Sequence, residues 1–547
     1  MKNNSLLLLV VCWLWFSNGY SWDGKILTRA EKSDFKATTR YSEVIDFLYA
    51  LQKQSHYIRI SSIAQSVEGR DVPLAVLGNP LPASASDLLI TNKPAIYIQA
   101  NIHAGEVEGK EASLMLMREI LSGDLFHLLD NQVLLFTPIF NPDGNEKIDP
   151  RNRRNQLGPD SGVGIRYNGQ NLDLNRDYMK LESPENIGAL QLINDWDPLL
   201  LIDLHTTNGS YHQEPLTYAT SHNPNGDPAL PQYVREKLFP EVAQQLLSQH
   251  KILSLPYGFF KDATDPEKGW RSFNHQPYYS TNYWGLRNRF SILNENYAYA
   301  DYQTRIMVCY HFVEQILNYT NNHVDEMRDM VRKADQSSVA YGMSPDTSKM
   351  FGLEFEAVPF EKPLLVRSYE FDLYQDEQGR KRARKTDRLK NYQTPFFSDF
   401  RMTRSIVVPK GYFFPANLKE IAQKLIQHGI VVERLSQPLR LNLQTFQIKK
   451  VDHSERMYQG HRFTTLSGEY QFQELELERG TFFVGMNQPL ANLVAYLLEP
   501  ESDGGLVYWN FFDRYLHASQ WGGGYNVFPV FRLMQPEKFA RIKANLN

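Results

Sequence analysis

Cysteine is almost absent. Cys12 and Cys309 are the two that 547 residues contain, so neither a disulfide framework nor a cysteine-based zinc site can be assembled. A basic excess is also missing. Lys and Arg number 58 against 62 Asp and Glu, a net charge of −4, which removes the electrostatic footprint of a dedicated nucleic-acid binder. Apart from one short stretch there is no long apolar run, and no segment repeats at a period of roughly 20–50 residues. What remains is ordinary globular composition: 42% hydrophobic, 22% charged, and 13% aromatic to fill a sizeable core. The length suits about two to four domains, or one large domain with an addition.

The one apolar run, Leu6 to Phe16, follows Lys2 and precedes Ser17, Asn18 and Gly19. A charged start, a short apolar core and a small-residue exit describe a secretory signal peptide, too short for a membrane span of about 20 residues. The expectation is a signal at 1–21 and an exported chain, periplasmic or extracellular, with no stable membrane insertion after cleavage.

Beyond it, short apolar runs alternate with helical patterns. Strands are expected at Val72–Leu77, Ala95–Gln99, Val133–Thr137, Leu199–Leu204 and Phe290–Leu293. Helices are expected at Lys110–Leu121, Pro184–Asn194, Pro231–Gln249 and Tyr302–Tyr319. That alternation predicts an α/β domain with a largely parallel twisted sheet flanked by helices. Composition turns polar after about residue 320, which places a first, α/β domain at 22–325, a linker at 326–350 and an α+β accessory region at 351–547. The basic run Arg380–Lys385, flanked by acids, reads as a solvated hairpin.

The sharpest local signal is Asn101-Ile-His103-Ala-Gly-Glu106, directly after a strand. An imidazole and a carboxylate three apart can reach one metal from a turn, and that donor pair suits zinc. The spacing alone is common: His311-x-x-Glu314 and His323-x-x-Glu326 repeat it without convergent partners in the sequence. A third donor is His205, closing the apolar run Leu199-Leu-Leu-Ile-Asp-Leu-His205. In open α/β sheets, sites collect at the carboxyl ends of strands. A hydrogen-bonded strand-end histidine is the other reading of His205.

At this point the sequence resembles the zinc carboxypeptidases, the M14 metallopeptidase family, over about residues 40–320. Six elements occur in the family's order: Ser66-Val-Glu-Gly-Arg70-Asp, His103-Ala-Gly-Glu106, Asn141-Pro-Asp-Gly144, Asp173-Leu-Asn175-Arg176-Asp, His205, and Ser291-Ile-Leu-Asn-Glu295. The resemblance implies one Zn2+ per chain held by His103, Glu106 and His205, with Asp173 orienting the first histidine. It implies Glu295 as the general base for a zinc-activated water. Arg151 and Arg154 stand where the family has two arginines three apart, with Arg154 facing the scissile carbonyl; Arg153 is an alternative. Asn175 and Arg176 are expected to hold the free C-terminal carboxylate of a peptide substrate. A substrate-covering tyrosine is expected in Pro277-Tyr-Tyr-Ser-Thr-Asn-Tyr283, where Tyr278, Tyr279 and Tyr283 are candidates and Tyr283 is the one assigned to substrate.

The implied activity is hydrolysis of the C-terminal peptide bond. Two other readings keep the same residues: a zinc amidohydrolase acting on cell-wall peptides or N-acyl amino acids, and a non-catalytic binding protein with a degenerate site. The last 200 or so residues lie outside the family's core fold, and packing that shapes substrate access is the role expected of them.

Overall fold

A computed structural model describes residues 26–207, 209–516 and 526–546. The signal peptide expected at 1–21 lies outside the described residues. The main sheet has eight strands. From one edge they are Ile58–Gln65, Asp71–Leu77, Val133–Thr137, Ala95–Ala100, Leu200–Thr206, Phe290–Asn296, Leu216–Ala219 and Ser254–Pro256. The four central strands from Val133–Thr137 to Phe290–Asn296 run parallel, and antiparallel pairs appear toward both edges. Central strands such as AIYIQA and LLIDLHT are buried along their whole length, as a parallel sheet covered on both faces requires.

The strand period of two sorts side chains between the faces. Ile96, Ile98, Ala100, Leu200, Ile202 and Leu204 pack with helices Tyr41–Gln54, Glu108–Ser122, Phe239–His250 and Tyr302–Met343. Ala95, Tyr97 and Leu201 face the other way, against Pro184–Trp196 and Ser280–Leu286. That second core continues without a break into Phe351, Tyr412, Tyr496 and Trp509 of the C-terminal region.

Two expected strands extend further than their apolar runs. Leu200–Thr206 and Phe290–Asn296 stay hydrogen-bonded to their ends, with His205 in register with Glu295. The polar segment expected as a linker is helical to Met343. It prolongs the helix begun at Tyr302, which kinks at His323. Among the described residues, the C-terminal region is mostly long antiparallel hairpins with two α-helices, Lys419–Gln427 and Ala491–Leu498. Arg380 to Lys385 lies on one such hairpin, where Asp376 accepts from Arg380 and Arg382 at 2.8 and 2.9 Å. A four-stranded sheet joins the two halves of the chain: Phe396–Val407 pairs with Trp270–Arg271 on one side and Met350–Pro359 on the other.

Candidate active site

His103 and Glu106 lie on the loop between the strand Ala95–Ala100 and the helix Glu108–Ser122. Asn101 takes φ 64° to turn the chain, and its side chain donates to the Glu106 carbonyl at 3.0 Å. Gly105 leaves room for Arg153, whose Nε would stand 2.7 Å from an added Cβ. His205 comes from inside the adjacent strand. The donor atoms of His103, Glu106 and His205 all lie within 4.8 Å of one another, and all three residues are buried.

The outer nitrogen of each imidazole is already engaged. His103 Nε2 lies 3.1 Å from Asp173 Oδ1, and His205 Nε2 lies 2.9 Å from Asp203 Oδ2. Each carboxylate accepts an N–H there, which turns the Nδ1 lone pair inward. The two Nδ1 atoms face each other at 3.2 Å, with Glu106 oxygens at 3.1 and 2.8 Å. Two lone pairs so placed beside a carboxylate call for a cation between them. The donor set and its orientation therefore fit Zn2+.

A second grouping, His250, His311 and Glu314, brings to the His311 motif the partner its sequence did not reveal. Its rings stack at 3.7 Å and 20°, so their in-plane lone pairs run side by side. The His103 and His205 rings meet at 62° and converge.

A cleft of about 410 Å³ opens over the cluster, lined also by Arg166, Asn175, Arg176, Tyr279 and Glu295. Asn175 Oδ1 accepts from Ser280 N at 2.9 Å, and its Nδ2 lies 3.4 Å from His205 Nε2. Arg176 lies over the Tyr279 ring at 4.3 Å. Burial, reinforced by the charge of Glu106, pushes Glu295 up to about 8 despite His205, Arg153 and Arg166 nearby. Burial also works against ionised Glu106, but Arg153 and His103 hold it well below the usual carboxylate range. Beneath the site, Ser66 and Arg70 each donate to Asp143 at 2.7 Å, so two of the sequence motifs brace one another.

Three expected residues fall elsewhere. Arg151 turns outward into a solvent-exposed pair with Asp149 at 2.7 Å, and Arg154 is exposed beside it. Neither lines the cleft. Arg153 sits behind the cluster, 2.5 Å from Glu106 Oε1. Arg166 lines the cleft together with Arg176 and Arg271, and it stands nearest the cluster: its Nε donates to Asp173 at 2.7 Å and its Nη1 is 4.0 Å from Glu106. Tyr283 is fully buried one turn into the helix Ser280–Leu286, its hydroxyl 2.8 Å from His428 Nδ1. Tyr279, just before that helix, faces the cleft instead, and Tyr278 packs behind it.

Sequence reasoning also missed Asp203, though its i, i+2 spacing to His205 on one strand was a usable signal. Arg166, in a Gly- and Asn-rich loop, offered none.

Residues 44–254 match the family model described as zinc carboxypeptidase. Carboxypeptidase 2 of Trichophyton rubrum is 21% identical over 503 residues, covering 86% of this chain and 81% of the relative. Carboxypeptidase D of Mus musculus is 34% identical over 138 residues, 22% of this chain and 10% of the relative. Among solved structures, a metallo-carboxypeptidase from Pseudomonas aeruginosa in complex with (2-guanidinoethylmercapto)succinic acid aligns at TM-score 0.38 and 18% identity, over 52% of this chain and 69% of that one. The segment that matches the zinc carboxypeptidase model, residues 44–254, is thus the one that carries the cluster His103, Glu106 and His205, whose donors suit the metal in that family's name.

Proposed function

We propose that the protein removes single residues from the free C-terminus of peptides, using one zinc per chain held by His103, Glu106 and His205. The observation that carries this is a shared cleft. A convergent metal cluster, a buried carboxylate and a half-free guanidinium line the same space. Zinc bound there supplies Lewis-acid polarisation of the scissile carbonyl and a more acidic water.

The chain's own residues do the rest. Asp173 and Asp203 fix the tautomers of the two ligand histidines. Glu295, in register with His205, takes the proton of the attacking water and passes it to the leaving amine. Its high proton affinity suits a group that must hold that proton between two steps. Arg166, rather than Arg154, offers the fixed positive donor for the developing oxyanion. Asn175 and Arg176 receive the terminal carboxylate, and Tyr279 lies against that guanidinium. The apolar run Leu6 to Phe16 supports export to a periplasmic or extracellular space. Among the described residues, no helix is long and apolar enough to cross a membrane.

The test is a mixed peptide library followed by mass spectrometry, with and without a zinc chelator. Chelator-sensitive loss of single C-terminal residues is expected. Internal cleavage, or trimming indifferent to chelator, would sink the reading.

A further inference from the structure

The C-terminal region reaches the site through one tight turn. Tyr458 and His461 exchange backbone hydrogen bonds at 2.8 and 3.0 Å, with Gln459 and Gly460 between them at φ 52° and 80°. Two consecutive positive-φ residues mark a type I′ hairpin turn, and glutamine is an uncommon occupant of that region. Three side chains of this turn grip the segment from Asp173 to Glu182. Gln459 Oε1 accepts from Asp173 N at 2.8 Å. The Tyr458 hydroxyl accepts from Arg176 Nε at 2.8 Å. His461 Nε2 lies 2.9 Å from Glu182 Oε1. Burial opposes ionised Glu182, yet His461 and Lys180 hold its carboxyl down to about 2.

The consequence lies in the Arg176 inventory. A guanidinium has five N–H donors and can meet a carboxylate through its Nε/Nη2 edge or its Nη1/Nη2 edge. Here Nε donates to Tyr458, and Nη1 donates once to the Asn175 carbonyl at 2.8 Å. Among the described residues, the second N–H on Nη1 and both on Nη2 make no hydrogen bond, and Nη1 also stands 4.0 Å from Asp173 Oδ2. The face is stacked on Tyr279, so the plane cannot turn freely.

We propose that Tyr458 is a positioning residue of the terminal-carboxylate subsite. By occupying Nε it commits Arg176 to grip the substrate end-on, through Nη1 and Nη2. The C-terminal region is then a working part of substrate recognition. This rests on the reading of Arg176 as the carboxylate-binding residue. Tyr458 does not line the cleft, so it acts through Arg176.

The test compares a peptide with its C-terminal amide in the wild-type enzyme and in Tyr458→Phe. For the free acid, KM is expected to rise about 10-fold with kcat within about 3-fold, the pattern of lost substrate binding. Inhibition by the released amino acid should weaken by the same factor, and the acid-over-amide preference should shrink with it. Zinc content and melting temperature monitor folding. In an Arg176→Ala background, Tyr458→Phe should add nothing to KM.

A wild-type enzyme that prefers the acid, with KM unchanged in Tyr458→Phe, overturns this inference and leaves the proposed function standing. A wild-type enzyme indifferent to acid and amide overturns the Arg176 reading itself. A fall in kcat accompanied by zinc loss would make Tyr458 merely structural, and an added effect in the Arg176→Ala background would separate it from Arg176. Either result also overturns the inference.

Discussion

The high proton affinity of Glu295 comes chiefly from burial. Glu295→Gln keeps the shape and the nearby dipole but cannot accept a proton. It should retain zinc and lose kcat by about 10²–10⁴-fold, read from turnover and metal content on one preparation. Near-normal turnover would remove Glu295 from the base role. The arginines separate as cleanly. Arg166→Ala should cost about 10²–10³-fold in kcat if it faces the oxyanion, whereas Arg154→Ala, exposed and outside the cleft, should stay within about 2-fold, as surface substitutions usually do. Equal losses would return Arg154 to the mechanism. The two positions lie twelve residues apart in one loop-rich stretch, and family spacing had pointed to the earlier one. Asp149, two residues before Arg151, is what turns that end outward, and nothing in the spacing of arginines reports it.

Among the elements, the helix Pro184–Trp196 begins at a disadvantage. Glu185, in its first turn, is fully buried, and burial pushes its carboxyl up to about 7 from 4.5 despite a 3.2 Å hydrogen bond from Asn168. An unfolded chain releases this proton near 4.5 while the folded chain keeps it to about 7. Folding therefore binds a proton in that window, stability falls as pH rises through it, and the whole penalty stands above it. Glu185→Gln should stabilise the protein by on the order of 1–3 kcal/mol at pH 8, with the gain fading below about pH 4.5. Urea denaturation at the two pH values checks this, and a gain of equal size at both would show that no buried charge is involved.

Element boundaries also mark how far the sequence could be read. The central strands announce themselves as apolar runs, and His103, Glu106 and His205 follow from where those runs stop. Their last residues do not, because His205, Glu295 and Asn296 are polar and owe their strand conformation to a neighbour's backbone. The helix beyond Tyr319 is similar. Its outer half is polar, and only packing against the sheet's helical layer keeps it continuous. The Tyr458 turn carries no local sign of its target, since a contact 282 residues away leaves no periodicity to read.

For the whole molecule, the core under the sheet is shared. Tyr97, Trp284, Tyr412, Tyr496 and Trp509 belong to one buried cluster, so neither half can keep its packing without the other. Calorimetry should show one cooperative transition for the full chain, and a chain ending after Met343 should be insoluble or molten. Two resolved transitions, or a folded fragment, would contradict a common core.

That sharing has a consequence in time. Synthesis delivers every residue of the metal cluster and the base, from His103 to Glu295, well before the tyrosines and tryptophans that cover the sheet they stand on. A nascent chain therefore holds all the proposed site residues on a sheet with one face still lacking part of its cover. We expect chains arrested near Gly480 to be inert toward peptides, and activity to appear only on chains long enough to include Trp509. An arrested short chain that trims peptides would refute this. On that expectation, the late-made cover would delay trimming of the proteins being made around the chain until the chain itself is nearly complete.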